Sequence, residues 1–338
     1  MSASSLLSRD RLLALLDAAG RQRVAIVGDA MLDVYLRGDV ERISPEAPVP
    51  VLRVRDRKFA LGGAANVAQN VAALGARCAL VATVGDDAAG TTLRAMLEGI
   101  GADGDALVRG VRPTTTKTRI VAGIQQIVRF DEEEDGDLTP EEIARVLAAV
   151  ECAIAEAGAM VIEDYNKGVL VPQVIERAIA VARKRRIPVV VDPKYRNFFS
   201  YRGATVFKPN RRELESALGA AVDLNVPTAL PTAVARLAVE HLLLTLGERG
   251  AVLVSASGDV HRVPATARAV YDVVGAGDTV TAYLGAMLAA GATVHEATVV
   301  ANFAAGVEVG KVGAATVDGA EVMAAYDEFV EREEAAGE

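Results

Sequence analysis

The chain has 338 residues, with 36 Lys and Arg against 45 Asp and Glu, and so carries a formal net charge of −9. A hydrophobic content of 51% is enough for a large buried core and argues against a disordered or fibrous protein. The negative charge argues against a broad nucleic-acid-binding surface, because phosphate backbones are bound by clustered Lys and Arg.

Short β-branched, apolar runs alternate with amphipathic stretches from residue 24 onward. The predicted strands cover 24–27, 79–84, 160–162, 188–191, 241–246 and 251–254. The predicted helices cover 64–74, 88–99, 140–157, 171–186, 228–240 and 279–290. Strands that are apolar on both faces and alternate with helices favour a mainly parallel sheet with helices on both sides.

Two segments, 35–60 and 106–131, interrupt this alternation. Pro45, Pro48 and Pro50 exclude a helix in the first segment and favour extended backbone. The second segment contains two β-branched runs joined by a turn. Together the two segments predict a small β-sheet inserted into the larger α/β fold, and we interpret residues 1–338 as a single domain that carries this lid.

Two glycine-rich motifs carry the strongest chemical signal. Residues 272–278 place Gly275 and Gly277 at the start of a predicted helix, where first-turn amides bind anions. Asp278 then stands beside an anion site, where it suits the role of proton acceptor for a hydroxyl that attacks a phosphate. Residues 61–66 form a similar helix entry. On spacing alone, an ordinary helix start remains an equal alternative for both motifs.

The motifs at 62–66, 210–213 and 275–278 resemble, in order and spacing, those of the ribokinase (PfkB) family of carbohydrate kinases. The resemblance covers residues 24–320. It implies a three-layer αβα sandwich with a mainly parallel sheet and a β-lid, and an enzyme that transfers phosphate from ATP to a sugar hydroxyl. The glycine fingerprints of dinucleotide-binding proteins and P-loop proteins are absent.

The resemblance also implies roles for individual residues. Asp278 would be the general base, and the anion hole would be formed by Gly275, Ala276 and Gly277. Asn210 and Glu213 would organise ATP phosphates and Mg²⁺, with Glu213 acting through water. The remaining expected ATP-binding residues are Thr245, Gly247, Asn302, Ala305, Gly306 and Lys194, of which Lys194 could instead face the sugar phosphate. Simple packing is the alternative for 302, 305 and 306, and a monovalent-cation requirement stays open.

On the sugar side, the expected hydroxyl ligands are Asp29, Asp33, Gly62, Gly63 and Asn66. Three lid cations, Lys117, Arg119 and Arg129, are expected to bind a phosphate at the far end of the sugar. Solubilising edge charge is the alternative for these cations. The acidic run 131–137 is predicted to be a solvated loop.

Further motifs resemble the members of this family that phosphorylate D-glycero-β-D-manno-heptose 7-phosphate. They lie at 28–33, 42–51, 116–119, 166–168, 192–194 and 307–311. This implies phosphorylation of the anomeric hydroxyl, on the route to the ADP-heptose of lipopolysaccharide. Another sugar kinase, or a non-catalytic sugar- or nucleotide-binding module, is the rival interpretation. Val273 stands where many family members have Thr, so no side-chain role is expected there.

The expected partners follow from what the sequence contains. No adenylyltransferase motif is present, so we expect a stand-alone kinase followed by a separate adenylyltransferase. No signal peptide or membrane span is visible, which favours the cytoplasm.

The lid carries apolar residues that a solvated sheet does not need, namely Ile43, Val49, Val51, Leu52 and Val54. We therefore predict a homodimer through the lid, with a monomer as the alternative.

Overall fold

The computed structural model describes residues 7–267 and 270–337. Its strands are β1 (Arg23–Gly28), β2 (Ala30–Ile43), β3 (Pro50–Gly63), β4 (Arg77–Val84), β5 (Leu107–Arg109), β6 (Thr116–Ala122), β7 (Gln125–Glu132), β8 (Ala159–Glu163), β9 (Val189–Asp192), β10 (Val206–Phe207), β11 (His241–Thr245), β12 (Ala251–Ser255) and β13 (Val260–Val263). Its helices are α1 (Arg9–Ala19), α2 (Ala64–Ala73), α3 (Ala88–Gly99), α4 (Pro140–Ala155), α5 (Pro172–Arg185), α6 (Arg211–Leu218), α7 (Ala229–Leu237), α8 (Ala276–Ala289), α9 (Val294–Glu308) and α10 (Gly319–Gly337). The predicted strands and helices are therefore confirmed to within a few residues at each end.

The large sheet has the strand order β13-β12-β11-β10-β9-β8-β1-β4-β5. Neighbouring strands from β11 to β5 run parallel, and β12 is antiparallel to both β11 and β13. One apolar cluster packs α1, α2, α3, α8, α9 and α10 against one face, and a second packs α4, α5, α6 and α7 against the other. This is the predicted αβα sandwich. Because the strands are parallel, their carboxyl ends meet at one edge, where ligands bind in such folds.

The small sheet has the order β3-β2-β6-β7. Its register aligns Asp33 with Lys117 and Lys117 with Asp131 on one face, and aligns Ile120 with Val128 on the other. The sheet thus has a charged face and an apolar face. β5 lies outside it and pairs with β4 in the large sheet, so the predicted lid range 106–131 began too early. That run of three residues is too short to show which sheet it joins.

Within the described parts of the chain, no helix has the length and apolar character needed to cross a bilayer.

Candidate active site

The glycine motif forms the predicted anion-binding helix entry. Gly275 is the N-cap of α8 and has a φ of 99°, a left-handed conformation that favours glycine. A Cβ at Gly275 would lie 3.2 Å from Glu308 Oε1, so a side chain there would also crowd that carboxyl group. The next two residues, Ala276 and Gly277, belong to the first turn of α8 and border a cleft of about 850 Å³. This end of the helix presents unpaired N–H groups and positive potential to the cleft.

Asp278 lies in the first turn of α8 and is 5% exposed. Its Oδ2 accepts a hydrogen bond from Asn66 Nδ2 at 2.7 Å, and its Oδ1 accepts one from the Tyr165 hydroxyl at 2.8 Å. Burial raises the pKa of Asp278 to about 6, against the lowering effect of the Asn66 and Tyr165 hydrogen bonds. A carboxylate with this pKa is ionised at neutral pH and still basic enough to take a proton from a hydroxyl.

Two further carboxylates, Glu163 and Asp192, stand beside Asp278, and oxygen atoms of all three lie within 4.8 Å of one another. Lys208 supplies the compensating charge, with its Nζ 2.7 Å from Asp192 Oδ2. Both oxygens of Glu163 are buried with no hydrogen-bond partner among the described residues. Burial, and then the charges of Asp192 and Asp278, raise the pKa of Glu163 well above its usual value, which favours the neutral form of this carboxyl.

Sequence analysis missed Glu163, Tyr165 and Lys208. Glu163 ends β8, Tyr165 follows it by two residues and directly precedes the 166–168 motif, and Lys208 follows β10, but none of the three is itself part of a motif identified in the sequence. The available signal was topological, since β8 and β10 both end at the ligand-binding edge of the parallel sheet.

The predicted nucleotide residues line the same cleft. Asn210 caps α6 and forms a capping box with Glu213, whose Oε2 accepts from the Asn210 backbone. Glu213 Oε1 accepts from Lys194 Nζ at 2.6 Å. The other predicted residues that line this cleft are Thr245, Gly247, Asn302, Ala305 and Gly306.

Gly306, which also lines the cleft, lies directly against the loop that contains Thr266. A Cβ at this position would lie 2.5 Å from Thr266 Oγ1, so the backbone approach needs glycine. Asn302 Nδ2 donates to the carbonyl of Pro264 at 2.9 Å, which fixes the same loop against α9.

Asp33 and the two glycines of the second motif lie together where the lid meets the core. Asp33 is 6% exposed, and its Oδ1 accepts from Arg119 at 2.6 Å. A Cβ on Gly62 would approach Asp33 Oδ2 to 3.0 Å, and one on Gly63 would lie 3.4 Å from the Tyr165 ring. Gly62 thus lies close to Asp33 and Gly63 close to Tyr165, and α2, which begins at the next residue, carries the Asn66 that donates to Asp278.

The lid cations are engaged by carboxylates. Lys117 Nζ contacts Asp131 at 2.8 Å and Glu133 at 3.2 Å, and Arg129 also contacts Asp131. Lys167, from the loop after β8, shares Glu133 at 2.7 Å. The acidic run at 131–137 was predicted to be a solvated loop, which is wrong for its first residues, because Asp131 and Glu133 pair with these cations.

Asp29 does not face the sugar side as predicted. Its Oδ2 accepts from the backbone N–H groups of Tyr165 and Lys167, and its Oδ1 from that of Val169. The side chain is 1% exposed, and burial raises its pKa to about 6. Both oxygens are therefore occupied by the loop that follows β8, and Asp29 is a structural anchor of that loop.

The comparisons with known proteins agree with this architecture. The model of the pfkB family carbohydrate kinases matches residues 21–319. The chain belongs to this family. The kinase is 49% identical over 310 residues to the bifunctional protein HldE of Rhodospirillum rubrum, a match that covers 90% of this chain and 62% of that protein. The chain thus spans less than two thirds of the length of this relative.

Solved structures share the fold of this kinase. The phosphofructokinase-2 of Escherichia coli in complex with potassium has a TM-score of 0.76 at 21% identity, over 91% of this chain and 99% of that one. The ribokinase of Arabidopsis thaliana with ribose and ATP has a TM-score of 0.70 at 20% identity, over 90% and 98%. The predicted ribokinase-like fold and family are confirmed.

Proposed function

We propose that this kinase transfers the γ-phosphate of ATP to the anomeric hydroxyl of D-glycero-β-D-manno-heptose 7-phosphate, in the cytoplasm. The product would be the 1,7-bisphosphate, which an adenylyltransferase would carry toward ADP-heptose. The observation that carries the proposal is the position of Asp278. It lies in the first turn of α8 beside the nucleotide cleft, and Asn66 and Tyr165 hold it on the side where Asp33 and the lid meet the core.

The proposed chemistry uses residues of this chain at each step. Asp278 takes the proton of the anomeric hydroxyl as its oxygen attacks the γ-phosphorus, and the bond to ADP breaks. The amides of the 275–277 loop receive the charge on the transferring phosphoryl group. Lys194 and Lys208 line the same cleft as this loop and add positive charge to it.

Mg²⁺ fits the residues on the nucleotide side. Glu213 is a carboxylate with one oxygen on Lys194 and one on a backbone N–H, which leaves lone pairs that can accept from water. Because Mg²⁺ keeps several waters and takes few protein carboxylates, Asn210 and Glu213 would hold it through water. When bound, it would neutralise charge on the ATP phosphates.

The lid supports recognition of a phosphorylated sugar. Lys117, Arg119 and Arg129 lie on the charged face, with Lys167 beside them. Among the residues that the structure describes, three carboxylates pair with these four cations. We propose that the sugar 7-phosphate binds among them. Asp33, held by Arg119, would accept hydrogen bonds from sugar hydroxyls.

ADP release measured with ATP and Mg²⁺ on a substrate panel tests this proposal. We expect heptose 7-phosphate to give a far higher kcat/KM than fructose 6-phosphate or ribose. A preference for either competitor would identify another sugar kinase of this family. The absence of turnover on every sugar would favour the non-catalytic binding module. Parallel assays with and without K⁺ settle the open cation requirement.

We also propose that a second copy of the chain covers the apolar face of the lid. The register places Phe59, Val128 and Phe130 on the face opposite Arg119, and they are 37%, 48% and 45% exposed. Light scattering should report about twice the 35.3 kDa chain mass. Phe130→Asp should give a monomer, whereas Val260→Asp, a change at a residue 47% exposed on β13, should not. A wild-type monomer, or a dimer that survives Phe130→Asp, would contradict this interface.

A further inference from the structure

Tyr165 lies between the residues proposed to bind the sugar and those proposed to bind the nucleotide, and no sequence motif assigned it a role. Its hydroxyl donates to Asp278 Oδ1 at 2.8 Å. Its ring centroid lies 5.2 Å from Lys194 Nζ, within the range of a cation–π contact. The same ring borders the backbone of Gly63. One side chain therefore contacts the base and a cation of the nucleotide cleft, and lies close to the sugar-side glycine loop.

We propose that Tyr165 is the positioning residue of the phosphoryl transfer. Its hydroxyl aims the Asp278 carboxylate at the acceptor hydroxyl, and its ring seats Lys194 beside the transferring phosphate. The inference rests on the proposed role of Asp278 as the base, and it extends that role to the residue that orients it. Tyr165 takes no proton and makes no bond in the reaction.

The hydroxyl is suited to this task because it remains a donor. Burial, and then the charge of Asp278, raise the pKa of Tyr165 well above its usual value, which favours the protonated phenol and keeps the hydroxyl a donor. A carboxylate that accepts a hydrogen bond from a neutral donor is stabilised in its charged form. Tyr165 and Asn66 are the two donors to Asp278.

The other charged groups around Asp278 make its orientation matter. Glu163 and Asp192 face it from the ends of β8 and β9, and Lys208 faces it from the segment after β10. Asp192 disfavours the charged form of Asp278, and Lys208 favours it. Glu308 faces the same region from α9 and interacts electrostatically with Asp278. With these carboxyl groups nearby, a carboxylate released from Tyr165 would lose both its direction and part of its stabilisation.

Tyr165 is itself fixed without any ligand. Its backbone N–H donates to Asp29 Oδ2 at 2.9 Å, and two more amides of the same loop, those of Lys167 and Val169, donate to the Asp29 carboxylate. Held in this way from the end of β1, the ring needs no rearrangement to meet Asp278 and Lys194. Such preorganisation is what a positioning residue requires.

The test separates the hydroxyl from the ring. Tyr165→Phe keeps the ring and removes the donor, so the acid limb of the kcat/KM profile should move to higher pH by about one unit. Turnover lost near neutral pH should then return at alkaline pH, while the KM for ATP stays within about twofold of wild type. Tyr165→Leu also removes the ring from under Lys194 and should raise the KM for ATP as well.

Tyr201→Phe is the matched control. This tyrosine is also buried and donates to a buried carboxylate, Asp164 Oδ2 at 2.6 Å, and neither residue lines the cleft. Its loss should reduce thermal stability without moving the acid limb. A Tyr165→Phe profile that falls equally at all pH values, as expected of a purely structural side chain, would overturn the proposal.

Two arms keep this test independent of the sugar assignment. The profiles are taken with the best acceptor of the substrate panel, so that a wrong choice of heptose leaves the comparison intact. In parallel, the Asp278 carboxyl is titrated by NMR on protein with isotope-labelled aspartate, using Asp278→Asn to assign the resonance. A midpoint that rises in Tyr165→Phe supports the proposal whatever the substrate is, and an unchanged midpoint contradicts it.

Discussion

The most direct perturbation of this kinase is Asp278→Asn. The amide has nearly the same size as the carboxylate, and its oxygen can accept from Asn66 while its NH₂ group donates to the Tyr165 oxygen, because a hydroxyl can also accept. Both contacts of the native side chain can therefore be kept. What is lost is the ability to accept a proton from the sugar.

The size of the effect follows from that loss alone. General-base catalysis contributes ~10²–10⁴-fold, so kcat should fall by that factor, which corresponds to roughly 3–5 kcal/mol of activation free energy. The pKa of Asp278 is about 6, so the wild-type base is mostly ionised at neutral pH and its protonation state does not limit the comparison. Below that pH wild-type activity should fall, and the fall should be absent from the residual activity of Asp278→Asn.

The assay is coupled ADP release across the acidic and neutral range, with ATP binding measured by calorimetry. ATP affinity should stay close to that of wild type, because the anion-binding amides belong to the backbone. Asp87→Asn is the matched control, since Asp87 also accepts several hydrogen bonds but caps α3 outside the cleft. Turnover of Asp278→Asn within about threefold of wild type would remove Asp278 from the mechanism.

Three further predictions test the surroundings of the base. Because the pKa of Glu163 is raised in the folded state, the folded state loses stability as the pH rises above the ordinary pKa of a glutamate. The melting temperature of Glu163→Gln should therefore increase relative to that of wild type as the pH increases. A difference in melting temperature that does not change with pH would show that Glu163 does not titrate in this way. Lys117→Ala should raise the KM for heptose 7-phosphate roughly tenfold or more through loss of a charge-assisted bond, and an equal loss on unphosphorylated heptose would show that Lys117 does not bind the phosphate. Gly306→Ala should raise the KM for ATP, because the new Cβ would meet Thr266 Oγ1 at 2.5 Å. Adding Thr266→Ala should bring the KM part of the way back to the wild-type value. An unchanged KM in Gly306→Ala would place this contact outside the nucleotide site.

The large sheet and its helices were predictable because apolar runs and amphipathic periods are local properties. The run 24–27 lies in β1 (Arg23–Gly28), and 88–99 coincides with α3. β5 was not predictable as a strand of the large sheet, since three residues carry no period and its pairing with β4 is decided by the tertiary fold.

The site could be predicted only where residues occur in spaced motifs. Asp278 and Asn66 were identified by such motifs, and the structure brings them within hydrogen-bond distance across 212 residues of sequence. Tyr165 directly precedes the 166–168 motif and Lys208 follows a two-residue strand, but neither is itself part of a motif. Both reach the cleft because their strands end at the same edge of the sheet. Asp29 and Asp33 looked equivalent, but Asp29 lies between β1 and β2, where its carboxylate accepts from backbone amides of the loop after β8, whereas Asp33 lies within β2.

The inward position of Asp29 affects how mutations at this residue must be interpreted. Its carboxylate closes a contact between the end of the first strand and a loop more than a hundred residues further along the chain. Its replacement by alanine would leave three backbone amides unpaired and release the segment that carries Tyr165. Turnover would then collapse as if a sugar ligand had been removed, although no atom of Asp29 needs to touch the sugar. A loss of activity at this position therefore reports on the stability of a remote loop, and only a thermal or proteolytic measurement on the same variant would reveal that.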